Sequence, residues 1–264
     1  VGRVESLHKF AWLIVIAIVV AFLYTPIGIT VFYSFNESKY MTEFTGFTLK
    51  WYKQLFSNER VLEALKNSLE VAMASSAIST ILGFMLGYAM HRYRVFGDKF
   101  ESLMYLPVVI PEVPEAVSIM IFFYILGFQF GWITVLIGHT AFNISFAYLT
   151  IRSQLYNINQ NIEKAARILG AKGIELARKI VIPLASPGLL ASALMTFILS
   201  FNNFVKTSFT TGPGFETLPL LIWKNAVRGR ATTELNALAT ILLLLSLSLS
   251  IIYTRIVFIE KRSK

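Results

Sequence analysis

Long apolar runs alternate with polar joints along the chain, at 10–32, 68–90, 102–126, 132–151, 187–210 and 235–259. Each run is about 20–25 residues, and at about 1.5 Å rise per residue a helix of that length crosses about 30 Å of hydrocarbon. The pattern predicts an all-α polytopic membrane protein with about six transmembrane helices. The third and fifth runs are interrupted by proline or polar residues. The first run is too long for a typical signal core, and it ends in Leu23-Tyr24-Thr25-Pro26 rather than a small-x-small cleavage pattern. It is therefore read as a retained span.

Composition agrees with hydrocarbon as the solvent. The chain has 264 residues, 55% hydrophobic and only 15% charged, with a mean hydropathy of +0.63. A net charge of +9 raises the question of nucleic acid. The basic residues sit beside apolar runs, however, and form no stripe with interleaved aromatics, so they mark topology. Arg3, Lys9, Arg92, Arg94, Lys99, Arg152, the basic residues from Lys164 to Lys179, Arg255, Lys261, Arg262 and Lys264 fall on one set of span ends. Lys39, Lys50, Lys53, Arg60, Lys224, Arg228 and Arg230 fall on the other, which is roughly half as rich. Both termini and the joint 153–186 are expected in the cytoplasm, and 36–66 and 212–234 outside. The absence of cysteine excludes disulfides, Cys-ligated zinc and thiol nucleophiles.

The cytoplasmic joint 153–186 is longer than a connection requires. Ile162, Ala165, Ala166 and Leu169 recur at helical spacing, with Glu163, Lys164 and Arg167 on the other side. Gly170 breaks this helix, a second follows from about 173 to 180, and Pro183 and Pro187 stop it before the fifth span. Such a helix–Gly–helix elbow can slot into a groove on a soluble partner and transmit a push. It can also rest on lipid headgroups.

The run Lys164-Ala165-Ala166-Arg167-Ile168-Leu169-Gly170, nine residues, then Ile180-Val181-Ile182-Pro183 resembles the EAA loop of binding-protein-dependent ABC importer permeases. Both alanines, the glycine, the isoleucine and the proline match that family's spacing. Lys164 stands where the family places glutamate, with Glu163 one residue early, and Ile182 replaces leucine. Phe47-Thr48-Leu49-Lys50-Trp51-Tyr52, Tyr93-Arg94, Thr211-Gly212-Pro213-Gly214 and Glu234-Leu235-Asn236-Ala237-Leu238 are similar to the second permease of spermidine/putrescine importers. The resemblance implies a type I importer permease fold, a single transmembrane permease domain over 1–264, and a coupling loop at 153–186. Within that loop it implies that Glu163, Lys164, Ala165, Ala166, Arg167 and Gly170 couple to an ATPase. It further implies a homologous second permease forming a heterodimer, an ATPase dimer carrying ATP and Mg, an extracytoplasmic solute-binding protein, and a bacterial or archaeal cytoplasmic membrane. No Gly-x-x-x-x-Gly-Lys-Ser/Thr run occurs in the chain, so ATP hydrolysis is expected on another subunit, with no cofactor here.

Candidate chemistry along a solute path lies in the third and fifth runs. Pro107, Pro111 and Pro114 fall on one helical face, free backbone carbonyls there and make the third span the strongly broken one, with Glu112 about 15 Å from its cytoplasmic end. Glu112 and Glu115, one turn apart, read either as a cation route or as hydrated carboxylates on a segment bent toward the surface. The fifth run carries Ser200, Asn202, Asn203 and Lys206, which suit a path for a polar solute. Polyamine permeases commonly carry an acidic pair where Asn202 and Asn203 stand, so opines, aminophosphonates and other small polar solutes stay beside polyamines as expected cargo. Lys206 either faces the path, where it opposes a cation, or snorkels to the outer interface. His139, with no second histidine nearby, does not suggest a metal site. An intramembrane enzyme is disfavoured by the lack of His-Glu-x-x-His and Gly-x-Ser-x-Gly motifs. A carrier or channel acting without an ATPase is the remaining alternative.

Overall fold

A computed structural model describes residues 2–40, 43–93, 97–228 and 232–262. Arg94, Arg230 and Lys264 of the charge tally lie outside the described residues. The elements are helices throughout: α1 (Gly2–Tyr33), α2 (Lys50–Ser57), α3 (Glu59–Tyr93), α4 (Gly97–Val109), α5 (Glu112–Ile125), α6 (Trp132–Tyr156) and α7 (Gln160–Ile168). They continue with α8 (Gly173–Leu176), a π-helical turn (Ala177–Val181), α9 (Ile182–Phe201), α10 (Val205–Thr210), α11 (Leu218–Val227) and α12 (Thr233–Arg262). Among the described residues five helices are long and apolar enough to cross a membrane: Trp12–Tyr33, Glu59–Arg92, Trp132–Tyr156, Gly173–Phe201 and Thr233–Arg255. A sixth candidate is the pair Phe100–Val109 and Glu112–Ile125, bent by 108°.

The expectation that Pro107, Pro111 and Pro114 share one helical face is corrected, because the span breaks between Val109 and Glu112. Pro111 has no N–H to continue the ladder and pushes the preceding residue out of the helical region. Its own backbone, at φ −58° and ψ 138°, is extended. Pro107 stays inside α4 and Pro114 inside the first turn of α5.

The fifth span is corrected in the opposite sense. Pro183 and Pro187 do not stop the second elbow helix, and α8, the π turn and α9 run on as one rod from Gly173 to Phe201. Pro183 occupies the first turn of α9, where a missing N–H is harmless. Pro187 frees the carbonyl of Pro183, and the Ser186 hydroxyl donates to it at 2.8 Å. The rod ends at Phe201, well before residue 210.

The chain divides into two compact units. One holds residues 1–59 and 224–244, and its ordered centre is the loop around Asn36. The buried Asn36 side chain donates to Glu43 O at 2.8 Å and accepts from Thr45 N at 2.9 Å. Trp51 Nε1 donates to Asn36 O at 2.7 Å, and Tyr52 shares a 2.6 Å hydrogen bond with Ser34. The apolar side chains of Trp12–Tyr33 are not buried inside the chain, as for a helix facing lipid or another subunit.

The other unit holds residues 60–223 and 245–264 and is built on the packing of α6 against α9. Apolar burial gives little advantage between helices already in hydrocarbon, so close backbone approach and hydrogen bonds hold such pairs. Gly83 meets Ala147, and a Cβ on Gly188 would lie 2.5 Å from Gln154 Cβ. One turn before Ala147 on α6, Asn143 Nδ2 reaches Ser75 Oγ at 3.0 Å and Thr196 O at 3.1 Å. Ser76 donates to Ala193 O at 2.6 Å. Toward the elbow an apolar cluster of Ile151, Leu155, Val181 and Ala185 closes the same interface.

The tight approach at Gly188 makes a prediction. Gly188→Ala should cost about 1–3 kcal/mol by overpacking against Gln154, and Gly188→Leu more. Thermal unfolding of the purified chain should show both losses, in that order.

Candidate functional site

The two interruptions of the helical ladder meet. At the first, α5 begins after Pro111 with Glu112 and Glu115 in its first turn, where free N–H groups and the helix dipole favour carboxylates. At the second, α9 ends at Phe201, and α10 begins at Val205 and packs on α5 and α6. Asn203 lies in this gap and serves both interruptions. Its amide nitrogen donates to Glu112 Oε1 at 2.7 Å, while its side-chain oxygen accepts from Lys206 N at 2.8 Å, capping α10.

Lys206 does not snorkel to the outer interface, and that expectation is corrected. Its side chain is completely buried, with Nζ 3.3 Å from Glu112 Oε1 and 3.1 Å from Glu115 Oε2. The ammonium also lies 3.6 Å from the centroid of the Phe142 ring on α6. Burial of an ammonium is tolerable here because two carboxylates and a ring face replace its water. Glu112 stays 43% exposed and Glu115 only 14%, so the cluster is open on the Glu112 side. The carboxylates are thus neither simply hydrated nor on a straight helix.

Ser200 joins the cluster indirectly. His139 on α6 is buried, with Nδ1 2.8 Å from Ser200 Oγ and Nε2 3.0 Å from Thr207 Oγ1. Thr207 Oγ1 donates to Asn203 O at 2.8 Å, so it accepts from Nε2–H and leaves Nδ1 to accept from Ser200. One imidazole therefore pins the end of α9 to the start of α10. Asn202 turns away, accepting from Ser246 Oγ of α12 at 2.8 Å. Sequence reasoning missed His139 and Phe142 as members of the cluster. The four-residue step from His139 to Asn143, both polar on one face of an apolar helix, was the available signal.

At the elbow, Asn159 caps α7 by accepting from Asn161 N at 2.9 Å. Gly170 takes φ +95° and Gly173 φ +50°, so the turn uses the left-handed region at both glycines. The face of α7 differs from the expected one. Glu163 and Ala166 are buried, while Ile162, Lys164, Ala165 and Arg167 are exposed. Glu163 turns inward to Arg92 at the end of α3, at 3.5 Å. Ile168, Leu169 and Ile174 protrude at 86%, 88% and 84% exposure. Glu163, paired with Arg92, shares the inward face with Ala166, and Ile162, Ala165 and Leu169 of the apolar stripe are left outside.

Comparison with known proteins places this architecture. Residues 79–262 match the family described as "Binding-protein-dependent transport system inner membrane component". The chain is 39% identical over 228 residues, 86% of each chain, to the spermidine/putrescine transport system permease protein PotC of Escherichia coli (strain K12). It is 32% identical over 241 residues, 88% of this chain and 85% of the relative, to the putrescine transport system permease protein PotI of the same organism. Its fold matches a chain of the bacterial alginate ABC transporter, crystallised with an alginate pentasaccharide-bound periplasmic protein. The TM-score is 0.66 at 15% identity, covering 95% of this chain and 93% of that one. By the length of the family match and the identity to these permeases, the chain belongs to the family of binding-protein-dependent transport system inner membrane components.

Proposed function

We propose that this chain is the pore-forming permease subunit of an ATP-driven importer of a polyamine-like cation in the cytoplasmic membrane of a bacterium or archaeon. The single observation that carries the proposal is the elbow: a glycine-hinged pair of helices presenting bare apolar side chains on a described surface rich in lysine and arginine. Ile168, Leu169 and Ile174 suit an apolar groove on a soluble ATPase dimer, and Lys164, Arg167 and Lys172 surround them. The identities to polyamine permeases support the cargo. A homologous second permease completes the pathway, an extracytoplasmic binding protein delivers the solute, and both termini face the cytoplasm. ATP and Mg belong to the ATPase, and this chain is a non-catalytic subunit.

The mechanism is one of coupling. Closure of the ATPase pair pushes α7, which is tied to α3 through Glu163–Arg92. The push enters the rod Gly173–Phe201 through Leu176 and Val181, both buried. The far end of that rod is the gap where Asn203 and Lys206 hold Glu112. Tilting the rod changes which side of the Glu112–Glu115–Lys206 cluster is open, exchanging inward for outward access. Meeting broken helices also occur in carriers that work alone. Copurification with an ATPase, and uptake that requires ATP, decides for the importer.

Two variants test the proposal. Gly170→Val meets no neighbouring atom but must hold φ +95°, a strain of about 1–3 kcal/mol. ATP-dependent uptake into proteoliposomes should fall sharply while the complex still assembles; unchanged uptake counts against the elbow. Glu112→Gln should lower putrescine uptake at least about tenfold, or about 1.4 kcal/mol, with ATPase subunits still bound. Normal uptake in that variant removes the cluster from the path.

A further inference from the structure

Outside the elbow, the most unusual group in the molecule is Lys206, a primary ammonium with no exposure, lying between two carboxylates and an aromatic face. Its surroundings are a complete receptor for that group. Glu112 Oε1 accepts from Nζ at 3.3 Å, Glu115 Oε2 lies 3.1 Å from it as an ion-pair partner, and Phe142 offers its ring face at 3.6 Å. The two carboxylates outnumber the one ammonium, which leaves the cluster one formal negative charge. That surplus is accessible, because Glu112 is 43% exposed while Lys206 is sealed. Asn203 holds Glu112 from a third direction and keeps the carboxylate aimed at Lys206.

We propose that Glu112, Glu115 and the Phe142 face form a binding site for an organic primary ammonium, that Lys206 is its resident occupant, and that a solute ammonium exchanges with Lys206 during transport. The exchange rests on the cluster being part of the solute path; the receptor itself does not. A solute arrives at Glu112, the open carboxylate, and Lys206 retreats onto Glu115. Neither carboxylate is left unpaired at any stage, so the exchange avoids the several kcal/mol that a bare buried charge costs. A site already filled by its own lysine also holds no ion when empty of solute, so inorganic cations gain no path through it. The solute class that fits is an alkylamine with an unbranched –CH2–NH3+ end, the same chemical group as the lysine tip.

The experiment uses the assembled transporter, with Lys206→Ala and Lys206→Met. Lys206→Ala should lower the unfolding temperature by about 5–10 °C, since two carboxylates lose their counter-ion. Butylammonium at about 10 mM should return half or more of that loss, and butan-1-ol of equal length none. Glu112→Gln and Glu115→Gln added to Lys206→Ala should abolish the response. Lys206→Met keeps the packing volume and supplies a second measurement should the alanine variant not assemble. In it, butylammonium should inhibit putrescine uptake at a concentration at least about tenfold lower than in the wild type, because no tethered ammonium competes. Equal recovery with butan-1-ol, no recovery with butylammonium, or unchanged inhibition in Lys206→Met overturns the receptor. Charge-specific recovery together with normal uptake by Glu112→Gln overturns the exchange instead, because it takes the receptor off the path.

Discussion

Hydrocarbon offers no hydrogen bonds, so every interruption of a helix within it must be satisfied by the protein itself. The rest of this structure follows from that constraint. Two spans are broken, one after Val109 and one after Phe201, and each break supplies what the other lacks. Asn203 donates to a carboxylate at the start of α5 and accepts from the first turn of α10. His139 closes the second break through Ser200 and Thr207. Either break alone would leave polar backbone and charge facing lipid; together they form a polar interior.

The ion cluster obeys the same logic. A lone buried carboxylate or ammonium is costly, while a set of opposite charges with hydrogen bonds and an aromatic face is tolerated. The start of α5 places Glu112 and Glu115 in the first turn, at the positive end of the helix dipole. Such a set adds little net stability, but it defines one arrangement of α5, α6 and α10, because moving α5 or α10 separates charges and moving α6 takes the ring face from Lys206. A transporter needs that property: an interior that is well defined in each state and changes only when something pushes it.

In the proposed mechanism the push enters at the opposite end of the rod. The π turn at Ala177–Val181 lets α8 continue into α9 despite Pro183, so the second helix of the elbow and the fifth span form one rod. Glu163 pairs with Arg92 inside the protein, and Lys164 is left on the surface.

Much of this was legible in the residues alone. Apolar run length gave the spans, charge asymmetry implied their sides, and the spacing from Ala165 to Pro183 marked the elbow and its glycine hinge. Those features are local: a period, a length or a turn depends on neighbours in sequence. Which face of α7 turns inward, where Lys206 puts its ammonium, and whether three prolines share one helix were read wrongly or left open. The first two depend on partners 71 and 94 residues away, Arg92 for Glu163 and Glu112 for Lys206. Periodicity cannot rank an apolar stripe against a distant arginine, because the winner is set by which charge lacks a counter-ion once the helices have packed. Sequence determined that this chain is a membrane-spanning helical bundle with a cytoplasmic-type elbow. Only the tertiary structure decided that its two broken spans meet around a buried ammonium, since that choice is made by electrostatics between segments that the chain order keeps apart.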